Sequence, residues 1–266
     1  IILDLEDSVP ASEKAAAREG LQDAARRVGQ TGADVLVRIN QPLRLAIPDI
    51  EASISANVNA LVLPKIVGPD HLKLLDETVS IIEVERGLPQ GSTSFLAMVE
   101  TAEAFFQIDA IAKASPRIAA ITIGAEDLAS SLGMQPDSET LLYPKTQSVY
   151  AAKAAGIMAL GIFGTVADYQ DLDAVSEIAR KARRFGLEGA SCIHPSVVPV
   201  LNEAFSPGTE EIDLARRIIS ANAEAERTGR GSFQLDGKMI DVPVVERAQR
   251  LLAKHEAISA KSTSVT

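Results

Sequence analysis

The chain has 266 residues, 46% of them hydrophobic, and its 36 acidic and 26 basic side chains give a net charge of −10. This excess of acid argues against a nucleic-acid-binding surface, no apolar run reaches the ~20 residues that a membrane span needs, and the first residues do not form a signal peptide. We therefore expect a cytoplasmic protein without nucleic-acid or membrane partners.

Apolar runs alternate with helical segments along most of the chain. Seven runs predict strands, at residues 1–5, 34–39, 60–63, 94–99, 118–123, 158–163 and 190–193. Helical spacing of apolar residues predicts helices at 12–28, 70–85, 102–114, 146–155 and 172–185. This βαβ alternation predicts a parallel sheet of the α/β class. Because seven strands do not complete an eight-stranded barrel, we expect one strand and its helix to precede Ile1.

The pattern changes after the break at Ser206-Pro207-Gly208. It predicts a long helix at 210–228, a turn at 229–232, a hairpin around Asp236-Gly237, a charged helix at 244–256 and a disordered tail from 257. We therefore expect a catalytic barrel over residues 1–205 and a C-terminal segment over 206–266. A lone hairpin is marginal in water, so this segment must pack on the barrel or on a neighbouring subunit.

Polar side chains follow nearly every predicted strand of the barrel region. They are Asp4, Glu6, Asp7, Arg38, Asn40, Lys65, Glu100, Asp127 and His194. A strand that only packs a core does not need to end in this way. In barrels of parallel strands the active site is built from these carboxyl ends, so the set predicts one polar site.

Two acids in this set suggest a divalent metal. Glu100 in FLAMVET and Asp127 in GAEDLASSLG each stand just past an apolar run. Carboxylates from successive strand ends can share one cation, and a site with few protein ligands suits Mg²⁺, which keeps positions open for substrate oxygens. The alternative is that Glu100 begins a helix and Asp127 pairs with a surface base.

Other members of the set have a functional and a structural interpretation. Arg38 in VRIN can fork onto a carboxylate or an enolate, or form a salt bridge at the rim. Lys65 in LPKI is the candidate cofactor-binding residue, or it faces solvent. His194 fits a structural histidine. Cys192, the single cysteine, cannot form an internal disulfide and fits a small buried side chain.

The ordered motifs carry a resemblance that spans the chain from about residue 3 to 245. DLEDSVPASEKAAAR, VRIN, LPKI, VETAEA, GAEDLASSLG, IHPSVV and DGKMIDVP occur in this order. Together they resemble the HpcH/HpaI aldolase and citrate lyase beta-subunit superfamily, especially its malyl-CoA, citramalyl-CoA and citryl-CoA lyase-like branch. The resemblance implies a (β/α)8 TIM barrel that forms homotrimers or hexamers, with its first strand upstream of DLED.

The resemblance also implies roles for single residues. Glu100 and Asp127 would be the Mg²⁺ ligands, Arg38 would bind substrate, and Glu6-Asp7 would lie near the metal through water.

In lyases of this type the C-terminal segment closes as a lid over a neighbouring subunit and supplies an aspartate as general acid/base. Asp241 in MIDVP matches that position, and Asp236 is the second choice.

The implied function is that of a Mg²⁺-dependent lyase that cleaves a 3-hydroxyacyl-CoA of the malyl, citramalyl or citryl type to acetyl-CoA and a 2-oxo acid. One alternative is a class II aldolase acting on free hydroxy-oxo acids, although no histidine precedes His71 in the region where such enzymes carry theirs. Another is a subunit that needs a CoA or acyl-carrier partner. Gly189-Ala190 and Ala104 depart from the family pattern, so the substrate and the CoA contacts stay open.

Overall fold

The computed structural model describes residues 1–165, 169–229 and 231–263. The chain divides into two compact units, Ile1–Ala204 and Phe205–Thr266. No helix in the described ranges has the length and apolar composition needed to cross a membrane.

The first unit contains a parallel six-stranded sheet whose strands follow one another in chain order. The strands are β1 Ile2–Asp4, β2 Leu36–Arg38, β3 Ala60–Leu63, β4 Ser94–Val99, β5 Ile118–Ile123 and β6 Met158–Leu160. All residues of β3 are buried, and the buried residues of β4 and β5 are likewise apolar, as expected of strands in a parallel sheet whose faces are covered. The α/β class expected from the sequence is therefore confirmed.

Helices connect these strands. They are α1 Lys14–Gly29, α2 Leu43–Ser53, α3 Pro69–Glu85, α4 Ala102–Phe105, α5 Ile108–Ala112, α6 Ala125–Leu132 and α7 Leu142–Ala155, whereas α8 Leu172–Arg184 and α9 Val197–Phe205 follow β6. The single helix predicted at 102–114 is wrong, because the chain turns between α4 and α5. The sequence interpretation also missed α2, where Pro48 lies inside the helix, the short helix α6, and α9.

The seventh predicted strand, at 190–193, is wrong. The backbone lies beside β6 for only two hydrogen bonds, from Glu188 N to Ala159 O at 2.9 Å and from Gly161 N to Gly189 O at 2.8 Å. The run that follows is rich in small residues, which favour a strand weakly, and it forms no further ladder. The sheet therefore has six strands where seven were expected.

The sheet curves around one cavity of about 440 Å³, to which all six strands and residues 191–193 contribute. Side chains that alternate along each strand explain this arrangement, because every second residue faces the same side. Within the described residues β1 and β6 do not pair, and residues 191–193 line the cavity together with both of these strands.

A buried ion-pair network holds the amino end of β5. Arg117, just before the strand, contacts Glu83 at 2.7 Å and Asp76 at 2.5 Å. The Glu83 side chain is fully buried and also accepts hydrogen bonds from the N–H groups of Gly91 and Thr93. Burial opposes ionisation of Glu83, but these donors outweigh it and lower its pKa to about 2.

The second unit has its own small core. It contains α10 Thr209–Arg227, the antiparallel hairpin of β7 Phe233–Leu235 and β8 Lys238–Ile240, and α11 Val242–Thr263. Ala215, Ile218, Ile240, Val245 and Ala248 pack together. The hairpin predicted around Asp236-Gly237 is confirmed. The disordered tail is a wrong prediction as far as Thr263, because α11 continues to that residue; 264–266, and Arg230 in the predicted turn, lie outside the described residues.

Candidate functional site

The carboxyl ends of β1 and β2 place an acid directly opposite a base. Asp4 and Arg38 are register partners in the parallel ladder. Arg38 donates from Nε to Asp4 Oδ1 at 2.8 Å and from Nη2 to Oδ2 at 2.6 Å. Burial opposes ionisation of Asp4, but the guanidinium holds the pKa of this carboxyl well below its usual range. Arg38 therefore forms the bidentate contact that the sequence predicts, and it uses Nε and Nη2 to bind Asp4.

An alternating chain of charges continues from Arg38 to the next strand end. Arg38 Nη1 lies 3.3 Å from Glu6 Oε2, and Lys65 Nζ lies 2.6 Å from Glu6 Oε1 and 3.0 Å from Asp7 Oδ2. Burial works against the ammonium, but the two acids raise the pKa of Lys65 above its usual value. These contacts fix both cations, so each can present charge without first losing side-chain freedom.

Glu100, like Glu6, is a buried acid of the site. It follows β4 directly, is 3% exposed, and accepts a hydrogen bond from the backbone N–H of Lys65. Lys65 has a positive φ of 50° just after Pro64, a conformation that is uncommon for a residue with a side chain. Its backbone therefore contributes to the site as much as its ammonium does.

The environment of Glu100 disfavours its negative charge. Burial raises its pKa to about 7, and the charges of Asp127 and Glu6 act in the same direction, while the Lys65 N–H opposes them. Asp127 is exposed and lies in the first turn of α6, directly after β5. The two acids thus lie close enough to repel each other, although Asp127 begins a helix and does not end a strand.

These donors fit a hard divalent cation. A buried carboxylate that repels its acidic neighbours loses its charge unless a positive ion offsets the burial. No group of three or more His, Cys, Asp or Glu side chains arranged for a metal occurs in the described part of the chain. A site with two carboxylates is nevertheless typical of Mg²⁺, because this ion keeps several waters in its remaining coordination positions.

A glycine that the sequence interpretation did not select is pressed against Glu100. Gly124, between β5 and α6, has space for no side chain, since a Cβ there would lie 2.5 Å from Glu100 Cγ and 2.8 Å from Cδ. The sequence signal is the glycine of the GAED motif, but its contact with Glu100 depends on the pairing of β4 with β5.

His194 and Cys192 lie elsewhere on the rim. The exposed ring of His194 stacks on Tyr169 with 4.9 Å between ring centroids, and its Nδ1 lies 2.8 Å from Ser196 Oγ. This is the structural role that the sequence favoured. Cys192 is a free, half-buried thiol in the wall of the central cavity, so it is less buried than expected.

The two candidate acids of the second unit differ in their contacts. Asp236, in the hairpin turn, pairs with Arg217 through both carboxylate oxygens, at 2.6 and 2.7 Å. Asp241 is half-buried at the start of α11, where its carbonyl accepts from the N–H groups of Val244 and Val245. No hydrogen bond or ion pair to the Asp241 carboxylate occurs among the described residues.

Comparisons with known proteins agree with the motifs. The family model described as HpcH/HpaI aldolase/citrate lyase matches residues 1–195. Citrate lyase subunit beta of Leuconostoc mesenteroides subsp. cremoris is 33% identical over 95% of this chain and 84% of that protein. Mitochondrial citramalyl-CoA lyase of Mus musculus is 30% identical over 98% of this chain and 80% of that protein.

A solved structure is similar over nearly the whole chain. CitE from Mycobacterium tuberculosis, in complex with magnesium, acetoacetate and coenzyme A, is 30% identical, with a TM-score of 0.72 over 96% of this chain and 89% of that chain. The resemblance seen in the sequence motifs is thus confirmed.

Proposed function

Because the chain belongs to the HpcH/HpaI aldolase/citrate lyase family, whose members similar to it include named lyases, we propose that it is a Mg²⁺-dependent carbon–carbon lyase of CoA thioesters. The substrate would be a 3-hydroxyacyl-CoA of the malyl, citramalyl or citryl type, and the products acetyl-CoA and a 2-oxo acid. The observation that carries this proposal is the buried Glu100 carboxylate beside Asp127, at the same rim as the fixed Arg38 guanidinium.

Glu100 and Asp127 would hold the metal, and Gly124 and the Lys65 N–H would orient Glu100. When bound, Mg²⁺ would supply Lewis-acid polarisation of the oxygens of the oxo-acid half. A carboxylate whose position is set by its neighbours before binding loses little freedom when the metal binds, and such pre-organisation is a general requirement of functional sites.

Arg38 would stabilise the charge that develops when the carbon–carbon bond breaks. The bonding electrons pass to the thioester half, giving an enolate, while the hydroxyl oxygen gives up its proton to solvent and becomes the carbonyl oxygen of the oxo acid. One proton is returned when the enolate carbon is protonated. A guanidinium held by Asp4 faces the enolate oxygen without having to reorganise, which is the condition for electrostatic stabilisation of a transition state. Asp241 is the proposed acid that then protonates the enolate carbon, supplied from a C-terminal lid.

The direct test is turnover by the purified chain. Malyl-CoA, citramalyl-CoA and citryl-CoA are incubated with Mg²⁺, and the release of oxo acid and acetyl-CoA is followed by chromatography. We expect cleavage of at least one thioester, loss of activity with a chelator and recovery when Mg²⁺ is restored. Glu100→Gln should abolish turnover, whereas Glu103→Gln, an exposed acid three residues further along, should not. Failure of all three thioesters, together with unchanged metal affinity in Glu100→Gln, would refute the proposal.

The similarity to a protein named as a subunit of citrate lyase supports a second candidate. In that case the chain would act on an acyl group carried by a partner protein. Activity of the isolated chain on a free CoA thioester would exclude an obligatory partner.

A further inference from the structure

A lysine outside the proposed metal site is buried without an acidic partner. Lys145 on α7 is 3% exposed. Its ammonium donates to the carbonyl of Ile162 and, at 3.1 Å, to that of Gly164. No carboxylate lies within 4 Å of this ammonium among the described residues. Burial alone lowers the pKa of Lys145 to about 8. Two of its three N–H groups are thus engaged, and within the described ranges the groups that offset its charge are these two carbonyl dipoles.

Lys145 lines a small cavity of about 110 Å³ whose walls are mostly apolar, so its ammonium is the cationic group at this place. Hydroxyl side chains of Thr122, Thr165 and Ser191 contribute to the walls. Gly161, whose φ is 140°, leaves space beside the ammonium, since a Cβ there would lie 3.8 Å from Nζ and 3.9 Å from Thr122 Oγ1. At roughly 30 Å³ per water, the volume of this cavity corresponds to about four waters, so it has room for the end of a small acid but not for CoA.

This cavity adjoins the proposed catalytic site on two sides. Met98, Thr122 and Ser191 line both this cavity and the larger one that contains Arg38. Gly124, which touches Glu100, also lines the Lys145 cavity. A substrate held at Glu100 could therefore extend one arm toward Lys145. Glu126 is the acid in the wall, but its side chain is exposed and forms no ion pair with Lys145 in the described ranges.

We propose that Lys145 forms an anion subsite for a second carboxylate on the 2-oxo-acid half of the substrate. This inference rests on the proposed function and narrows it, because only citryl-CoA among the three candidates yields a dicarboxylic oxo acid, oxaloacetate. The physical reason is that a buried cation is costly when its charge is not offset, and a carboxylate paired with it removes that cost. The remaining N–H of the ammonium supplies a charge-assisted hydrogen bond.

Two acids of the same length provide the test. Oxaloacetate and 2-oxobutyrate differ only in a carboxylate that replaces a methyl group, and their affinities for the purified chain with Mg²⁺ are measured by titration calorimetry. We expect oxaloacetate to bind about 10- to 100-fold more tightly, the gain of one charged hydrogen bond. Lys145→Met should remove this preference and leave 2-oxobutyrate binding unchanged. Lys153→Met is the matched control, because Lys153 lies on the same helix but pairs with Glu188 at the surface.

Equal binding of the two acids by the wild type would overturn the inference, and this comparison needs no variant, so it holds even if Lys145→Met does not fold. A preference that survives in a folded Lys145→Met would also overturn it. If 2-oxobutyrate and oxaloacetate bind equally while thioester cleavage is observed, the subsite alone fails. If neither acid binds and no thioester is cleaved, the proposed function fails with it.

Discussion

Replacement of Gly124 by alanine tests whether the position of the Glu100 carboxylate matters for activity. The backbone at Gly124 has φ −73° and ψ 107°, which alanine adopts without strain. The only new feature is therefore the methyl group, which would lie 2.5 Å from Glu100 Cγ and 2.8 Å from Cδ. Ordinary contacts between such atoms are about 3.5–4.0 Å, so Glu100 must move by about 1 Å.

A displacement of this size has two measurable costs. Crowding a packed site costs about 1–3 kcal/mol of stability, and a 1 Å misplacement of a reacting group can reduce the rate by about 100-fold. We therefore expect Gly124→Ala to lower kcat/KM by about two orders of magnitude and to weaken Mg²⁺ binding. Gly20→Ala is the matched control, because a Cβ at Gly20 meets no atom within 4 Å, and its activity should be unchanged.

Thermal unfolding, Mg²⁺ titration and thioester cleavage are measured on both variants. Gly124→Ala is also made in the Glu100→Ala background, where the side chain that the new methyl group would clash with is absent. There, Gly124→Ala should cost little stability, since the two positions act through one contact. An equal destabilisation with and without Glu100 would show that the methyl group disturbs something else, and full activity of Gly124→Ala would refute the assignment of Glu100.

Three further predictions concern other charged groups. Arg38→Lys should lower kcat/KM with the fold intact, because lysine cannot reproduce the fork, and unchanged kinetics would reduce Arg38 to a rim salt bridge. Arg117→Ala should destabilise the protein by about 3–5 kcal/mol in urea unfolding, since it leaves Glu83 buried and unpaired. The folded pKa of Glu83 is about 2 and the ordinary value 4.5, so its contribution is present above pH 4.5 and is lost as the pH falls toward 2. Inactive Asp241→Ala and Glu100→Ala subunits should restore activity when mixed, if Asp241 serves a neighbouring subunit; full activity of Asp241→Ala alone would exclude it as the acid.

The sequence predicted strands best where the apolar run and the ladder have the same extent. The ranges at 60–63, 94–99 and 118–123 were predicted without error, and their buried residues are all apolar. At 1–5, 34–39 and 158–163 the apolar runs extend beyond the ladder, whose length depends on the neighbouring strand and not on the run itself. The wrong strand at 190–193 has the same cause, since no partner pairs with it.

The sequence allowed several residues of the site to be selected, but it did not predict which side chains contact one another. Glu100 and Arg38 could be chosen because they end apolar strands, and the structure places them on one rim. The ion pair between Arg38 and Asp4 depends on the register of β1 and β2. The close packing of Gly124 against Glu100 depends on the pairing of β4 with β5. Lys145 was missed because a lysine near the start of a helix is usually solvated, and only the tertiary fold buries it.

The charged groups of the site that have no ion-pair partner indicate what kind of ligand each part of the site can bind. Arg38 and Lys65 are both held by acids of the DLED segment, and neither pairs with Glu100 through its side chain. Glu100 and Asp127 therefore lack an ion-pair partner among the described residues, and so does Lys145, which lines a cavity together with Gly124. A bound cation would offset the charges of the two acids, and a bound anion would offset the single charge of Lys145. A metal ion chelated by a dicarboxylic oxo acid would offset the charges of the two acids and that of Lys145 at once. A monocarboxylic oxo acid would leave Lys145 buried without an ion-pair partner.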